Sequence, residues 1–249
     1  MLQTRIVPSK PVLVLEDTKK SVVFTDIHIG FENSMSSNEI FIGKNSTINE
    51  TINEVLEIIE VENPDSVIFL GDVKSSIKNI SRNEWEEVPR FFKKISERCD
   101  TVLVPGNHDA NIQRLVPDNI SMISSTGMIE ENVLLTHGHT MPSKNFSHVD
   151  KIIMGHLHPV FFQEDSIVNG QRVWVSIKTN KEEIFPNKSG ELEITIIPSF
   201  NKYFYATHRK KYKRSISPII DKIKTISAAR IITLDGTIIG DESIINQVI

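Results

Sequence analysis

Five short clusters of Asp, Asn and His, each placed where an apolar, strand-like run stops, constrain this chain more than any other feature. In order they are Asp26-Ile27-His28, Gly71-Asp72, Gly106-Asn107-His108-Asp109, His137-Gly138-His139 and Gly155-His156-Leu157-His158. The runs before them end at Phe24, Leu70, Val104, Leu135 and Met154. Six of the eight histidines lie in these segments, so the fold must gather five strand ends at one place. In open α/β sheets that edge is where ligands bind. Glycines at 71, 106, 138 and 155 let the backbone turn sharply, so that the side chains beside them can converge. Oxygen and imidazole donors in such number suit two divalent metals and hydrolysis of a phosphate ester.

The hydrophobic pattern supplies the elements that would carry these clusters. Residues 11–15 and 21–25, joined by the polar turn 16–20, predict an opening hairpin. Ile48, Ile52, Val55, Leu56 and Ile59 recur at helical spacing, Pro64 closes that segment, and residues 66–70 follow as a buried strand. Trp85, Val88, Phe91, Phe92 and Ile95 mark a second helix, interrupted early by Pro89, before the strand 101–104. After residue 120 the pattern changes to short β runs at 127–130, 133–136, 151–154, 160–162, 172–175 and 192–197. These predict a second sheet facing the first. A last hairpin, 229–234 with the turn Asp235-Gly236 and Ile238-Ile239, packs on the same domain. The expected architecture is α/β, with two facing mixed sheets flanked by helices in a single domain over residues 1–249, since 39% hydrophobic content can bury one substantial core. The Ser- and Asn-rich stretch 31–46 is the expected flexible loop, and it borders the first cluster.

Compartment and charge narrow the function classes. A single cysteine, Cys99, cannot form an internal disulfide and stands apart from the other metal donors, which fits a reducing cytoplasm. The N-terminus has too few apolar residues for a signal peptide, and no run approaches the roughly 18 residues of a membrane span. A net charge of −4 argues against a uniformly basic, nucleic-acid-coating protein. Metals would offset the site carboxylates, however, which weakens global charge as a guide to substrate. The run His208-Arg209-Lys210-Lys211-Tyr212-Lys213-Arg214, with Lys202 and the aromatics Phe200, Tyr203, Phe204 and Tyr205 before it, is read as a solvated face with phosphate attraction as the alternative.

As a set, D-x-H, G-D, G-N-H-D, a further His and G-H-x-H in this order resembles the calcineurin-like metallophosphoesterases, over roughly residues 20–160. Taken singly, Asp26-Ile27-His28 or Gly71-Asp72 would read as an ordinary strand-end turn. The resemblance implies a four-layer β-sandwich flanked by helices. It implies that Asp26, His28 and His158 hold one metal, that Asn107, His137 and His156 hold the other, and that Asp72 bridges them. It places His108 against the scissile phosphate, to stabilise the transition state or protonate the leaving oxygen, with Asp109 orienting its ring. A bridging carboxylate can hold two cations at the roughly 3.5–4 Å that two-metal catalysis requires, with a hydroxide between them as nucleophile. His139 is left open between supporting a ligand, touching substrate and replacing His137; His148 and His208 are read as surface or structural histidines. Within the family, the stretches around Asp26, Asp72 and His156, and Ile197-Pro198-Ser199-Phe200-Asn201, resemble the SbcD-related archaeal-type phosphoesterases. Ser75 stands where that group would carry His.

The expected activity is therefore that of a dinuclear, Mn²⁺-dependent phosphodiesterase, with zinc, iron or nickel as other metals these ligands accept. DNA, RNA or a nucleotide phosphodiester is the expected substrate. The alternative is hydrolysis of small phosphates, cyclic nucleotides and monoesters included. A non-catalytic metal-binding scaffold is disfavoured, because every ligand and His108 is present. Nothing resembles the coiled-coil partner or capping domain of full repair nucleases, so processive exonuclease action is not expected. Related nucleases dimerise, which makes a homodimer an expectation with no motif to mark its surface.

Overall fold

The computed structural model describes residues 2–32, 46–203 and 217–249. Its first sheet consists of β1 (Gln3–Ile6), β2 (Leu13–Glu16), β3 (Lys20–Phe24), β4 (Ser66–Leu70), β5 (Asp100–Val104) and β6 (Ser121–Met122), side by side in that order. The β1, β2 and β3 pairings are antiparallel, and from β3 to β6 the strands run parallel. Helix α1 (Ser46–Glu62) lies between β3 and β4, and helix α2 (Arg82–Ser96) between β4 and β5. The second sheet contains β7 (Met128–Glu130), β8 (Val133–Thr136), β9 (Lys151–Met154), β10 (Val173–Asn180), β11 (Glu191–Ile196), β12 (Ile226–Thr233) and β13 (Ile238–Gly240). Their spatial order is β13-β12-β10-β11-β9-β8-β7, with β8, β9 and β11 mutually parallel.

Strand alternation explains why two sheets and their covering layers form. In β4, Val67 and Phe69 point to the helical side, where they join Phe91, Phe92 and Ile95 of α2. Ile68 and Leu70 point the other way, into a cluster shared with Leu135, Ile153 and Trp174 of the second sheet. The same division separates Phe24 from Val23, Leu103 from Val104 and Leu134 from Leu135. A strand that is apolar on both faces must be covered on both, so the sheets pack on each other inside and are covered outside. Phe69 sits at the centre of the helical layer, its ring 5.6 Å from Phe24 and 5.2 Å from Phe91.

Several elements depart from the sequence pattern. Pro89 lies inside α2 and does not interrupt it. Val88, Phe91, Phe92 and Ile95 are fully buried, and burial contributes about 1.5–3 kcal/mol per large apolar side chain. That sum outweighs the roughly 3 kcal/mol that an interior proline costs. Trp85, expected on the buried stripe, is 47% exposed. The run at 160–162 is no strand; Val160 makes only an isolated bridge to Arg172. Strand β1 has no counterpart in the prediction, and β10 extends five residues past the run that announced it, from 175 to Asn180. Most of the stretch 31–46 and the basic run 208–214 lie outside the described residues. No described helix is long and apolar enough to cross a membrane.

Candidate metal centre

The carboxyl ends of five parallel strands deliver the clusters to one edge. β3 leads to Asp26 and His28, β4 to Asp72, β5 to Asn107 and His108, β8 to His137, and β9 to His156 and His158. Past their ends β3 and β4 stay in register, with the His28 N–H donating to the Asp72 carbonyl at 2.9 Å and a bridge between Ile29 and Lys74. The backbone then takes an unusual course. Asp26, His28, Asp72, His156 and His158 all adopt left-handed φ angles, from 46° to 70°. Such a conformation costs a non-glycine residue on the order of 1–3 kcal/mol and persists only where surrounding contacts enforce it. Here it turns alternate side chains inward, Asp26 with His28 and His156 with His158, at the strand ends. Gly155 is required by the same crowding, since a side chain there would collide with Thr25 and with the Asp26 carboxylate, 2.6 Å from its Oδ2.

Each buried carboxylate is pinned by one oxygen and offers the other. Asp26 Oδ2 accepts the His156 N–H at 3.1 Å, while Oδ1 lies 2.9 Å from His158 Nε2 and 3.9 Å from His28 Nε2. Asp72 Oδ1 accepts the His108 N–H at 2.8 Å. Its Oδ2 faces His137 Nε2 at 3.3 Å, His28 Nε2 at 3.8 Å and His108 Nε2 at 3.9 Å. Asp26, His28, Asp72 and His158 form one group with donor atoms within 4.8 Å of each other, and Asp72, His137 and His156 form a second. Asn107 joins the second group, its Oδ1 3.2 Å from His137 Nε2. The structure thus brings together all seven residues that the sequence named as ligands.

The donor chemistry of this cluster fits cations. His137 Nδ1–H donates to the Leu70 carbonyl at 2.7 Å, which leaves its Nε2 lone pair facing the oxygens of Asn107 and Asp72. Lone pairs opposed in this way repel unless a proton or a metal sits between them. His156 Nε2 is buried with no hydrogen-bond partner among the described residues, an arrangement that native interiors avoid unless a ligand satisfies the atom. Electrostatics agree. Burial holds His28 and His156 at about 3, so they stand neutral and able to donate. Burial would lower His137 as well, but the Asp72 charge overrides it and raises the ring to about 9. Burial would raise Asp26 and Asp72, yet His158 holds Asp26 at about 2 and His137 holds Asp72 well below the carboxylate range.

A pH dependence follows from His137. Its folded value lies above the ordinary 6.5, so the proton it holds stabilises the metal-free fold fully below about pH 6.5 and that contribution fades as pH rises through 9. A cation held by the His137 Nε2 would have to displace this proton. Divalent-cation affinity is expected to climb between about pH 6.5 and 9 with proton release, measured by calorimetry in buffers of different ionisation enthalpy. Affinity that is flat across this window would contradict the placement of His137.

The remaining named residues have clear positions. His108 Nδ1–H donates to the Ser75 carbonyl, and its side chain is 19% exposed where those of His28 and His137 are closed to solvent. Asp109 does not orient that ring. Its carboxylate accepts the N–H groups of Val73, Lys74 and Gly106 at 3.0, 3.2 and 2.8 Å, tying the β4 and β5 loops together, while burial and Asp72 push it up to about 6. The His139 ring lies tilted 5.3 Å from His137 and edge-on 6.1 Å from His156, with burial lowering it to about 4. His148 is exposed, and Cys99 is raised to about 11 by burial, remote in character from a metal thiolate. Phe200 is a core residue packed edge-on to Phe24 at 5.3 Å and so lies outside any exposed patch, while the exposed Lys202 pairs with Glu50.

Residues without a motif support the site. Thr25 Oγ1 sits 2.8 Å from both Asp26 Oδ2 and the Leu70 carbonyl. The 197–201 loop clamps the first cluster: Ser199 Oγ donates to the Asp26 carbonyl at 3.1 Å and Asn201 Nδ2 to the Ile27 carbonyl at 3.1 Å. Arg172 in turn holds the carbonyls of Ser199 and Phe200, at 2.7 and 2.9 Å. Only the Ile197-Pro198-Ser199-Phe200-Asn201 stretch gave a sequence signal for this support.

Two facing mixed sheets with a cluster of Asp, Asn and His at the strand ends define the class of metal-dependent phosphoesterases. Residues 19–177 match the Calcineurin-like phosphoesterase family, and the chain belongs to that family. Among solved structures it is similar to the Pseudomonas putida nuclease MPE, at 15% identity and a TM-score of 0.52, over 94% of this chain and 98% of that one. It is also similar to Yfce, a phosphoesterase from E. coli, at 17% identity and a TM-score of 0.39, over 89% of this chain and 97% of that one. No curated protein sequence matches the chain.

Proposed function

We propose that the protein is a dinuclear phosphodiesterase that cleaves nucleic acid, the observation carrying this reading being that Asp72 belongs to both ligand groups. Asp26, His28 and His158 would hold one divalent cation, Asn107, His137 and His156 the other, and Asp72 both. Manganese suits this mixture of imidazole, carboxylate and amide donors. When bound, two such cations neutralise phosphate charge and bring the pKa of water toward neutrality.

The chain's own residues supply the rest. His108 is a partly exposed imidazole of the cluster, and its Nδ1–H bond to Ser75 turns Nε2 toward the site. Nε2 can hold a proton there for the leaving oxygen and stabilise charge on the phosphate. Asp109 acts through the backbone, fixing the two loops that carry Asp72 and His108. The cluster of Leu15, Ile68, Leu135 and Trp174 between the sheets supports a single domain over residues 1–249. The clamp on Asp26 by Ser199 and Asn201 gives the SbcD-related stretch a physical purpose, and Ser75 acts through its carbonyl, which any side chain at that position retains.

The likeness to a nuclease favours polymers over small phosphates. The test is digestion of end-labelled single-stranded DNA, duplex DNA and RNA with Mn²⁺, beside a small aryl phosphodiester. Metal-dependent shortening of a polymer is the expected result and fixes the end or interior from which cutting starts. Intact polymers together with hydrolysis of the aryl ester would move the substrate to small phosphates. No turnover of any of them by the metal-loaded protein would overturn the enzymatic reading in favour of a scaffold.

A further inference from the structure

Helix α2 begins with a capping box in which Ser81 Oγ accepts the Glu84 N–H and Glu84 reaches back to the Ser81 N–H. Such a box needs one carboxylate oxygen for one backbone donor. Glu84 does considerably more. It is 1% exposed, and its Oε1 accepts the N–H groups of Ser75 and Ser76 at 2.9 and 2.7 Å. Its Oε2 accepts the Ser81 N–H at 2.7 Å and the Ser76 hydroxyl. Four donors from one loop thus converge on one buried carboxylate, far beyond what ending a helix requires. The 75–76 peptide, held through its Ser76 N–H, is the one whose Ser75 carbonyl receives His108 Nδ1–H. An unbroken series of hydrogen bonds runs from Glu84 through the 75–76 peptide to the imidazole whose Nε2 lies 3.9 Å from Asp72 Oδ2.

We infer that Glu84 is a positioning residue of the phosphoesterase reaction, setting the tautomer and aim of His108 by fixing the Ser75 carbonyl. The inference rests on the reading of His108 as the group that meets the phosphate. A histidine nitrogen bound to a carbonyl must carry a proton, which leaves the other nitrogen as the one that gains and releases the ring's second proton. A loop left loose lets that carbonyl wander, and small misplacements of a catalytic group cost rate without altering substrate affinity. Glutamine at position 84 would present an amide N–H₂ to donors that now meet an oxygen, so part of the loop would lose its anchor while the volume stays the same.

The test uses the full-length protein with Mn²⁺ and the phenyl ester of thymidine 5′-monophosphate. Glu84→Gln is expected to lower kcat about tenfold, with KM and bound Mn²⁺ unchanged, the scale on which misorientation costs rate. In a His108→Ala background the same substitution should change nothing, because a residue acting only through His108 has nothing left to orient. In metal-free protein, the imidazole Nδ1–H proton resonance that vanishes in His108→Ala should be visible in the wild type and lost to solvent exchange in Glu84→Gln. Ser81→Ala removes the reciprocal cap without touching the donors to the Glu84 carboxylate and should keep both resonance and rate. Should Glu84→Gln fail to fold, Ser76→Ala removes one donor and should give a smaller loss that also disappears beside His108→Ala. A Glu84→Gln loss that multiplies with that of His108→Ala, or an unchanged resonance, would overturn the inference and leave the His108 reading intact. Wild-type turnover by His108→Ala would instead remove the reading beneath it, and the Glu84 role with it.

Discussion

Asp72→Ala is expected to abolish hydrolysis and to leave the protein unable to retain both metals. The residue belongs to both ligand groups, and its Oδ2 lies 3.3 Å from His137 Nε2 and 3.8 Å from His28 Nε2. Removing it takes an anionic donor from both places at once. Metal-ion catalysis supplies several kcal/mol of transition-state stabilisation, and each 1.36 kcal/mol is tenfold in rate, so a loss of about 10³-fold or more follows. The carboxylate also accepts the His108 N–H through Oδ1, and an alanine could act by loosening the loop. Asp72→Asn separates these effects, because an amide oxygen can still accept that N–H while the negative charge is gone. Elemental analysis of dialysed protein and the hydrolysis rate should fall together in both variants. Wild-type turnover in Asp72→Ala would sink the two-metal reading outright.

How much of this site was legible in the sequence depends on where the information lies. The clusters were visible because the chemistry restricts residue type, and the strands carrying them because alternating apolar residues have to be buried on both faces. The left-handed backbone at Asp26, His28, Asp72, His156 and His158 was not visible. Glycine normally announces such geometry, and here the cost falls on Asp and His held by tertiary hydrogen bonds. Ser199 and Asn201 showed only as part of the stretch 197–201 and Arg172 not at all, since all three act on backbone carbonyls, which carry no residue identity, and Asn201 reaches Ile27 from 174 residues along the chain. Asp109 was assigned to the histidine next to it, yet its oxygens went to N–H groups on two loops. Adjacency in sequence said nothing of that direction. Phe200, read with its aromatic neighbours as a surface feature, is drawn inward because the N–H groups of Phe200 and Asn201 bond to the Thr25 and Asp26 carbonyls, both at 3.1 Å. Pro89 shows the limit of local rules from the other side, because buried phenylalanines one turn away outweighed the breaker.

His108→Ala is expected to separate metal binding from turnover. The ring lies outside both ligand groups, and its Nε2 stands 3.9 Å from Asp72 Oδ2 with part of the side chain open to substrate. Its backbone N–H, which holds Asp72, survives the substitution. Metal content should therefore match the wild type while kcat falls by about 10²- to 10³-fold, the range for losing a general acid or a preorganised donor to the transition state. The leaving group distinguishes these two roles. If Nε2 delivers a proton to the departing oxygen, the loss should be large for a phenyl ester and smaller for a nitrophenyl ester, whose leaving group departs as an anion unaided. Pure stabilisation of the phosphate oxygens would give equal losses for both esters. The hydrogen bond from Nδ1 to the Ser75 carbonyl favours the first outcome, because it orients the ring with Nε2 as the one nitrogen available for transfer. Loss of metal in step with loss of rate would instead make His108 a ligand, and the separation of the two groups around Asp72 would have to be redrawn.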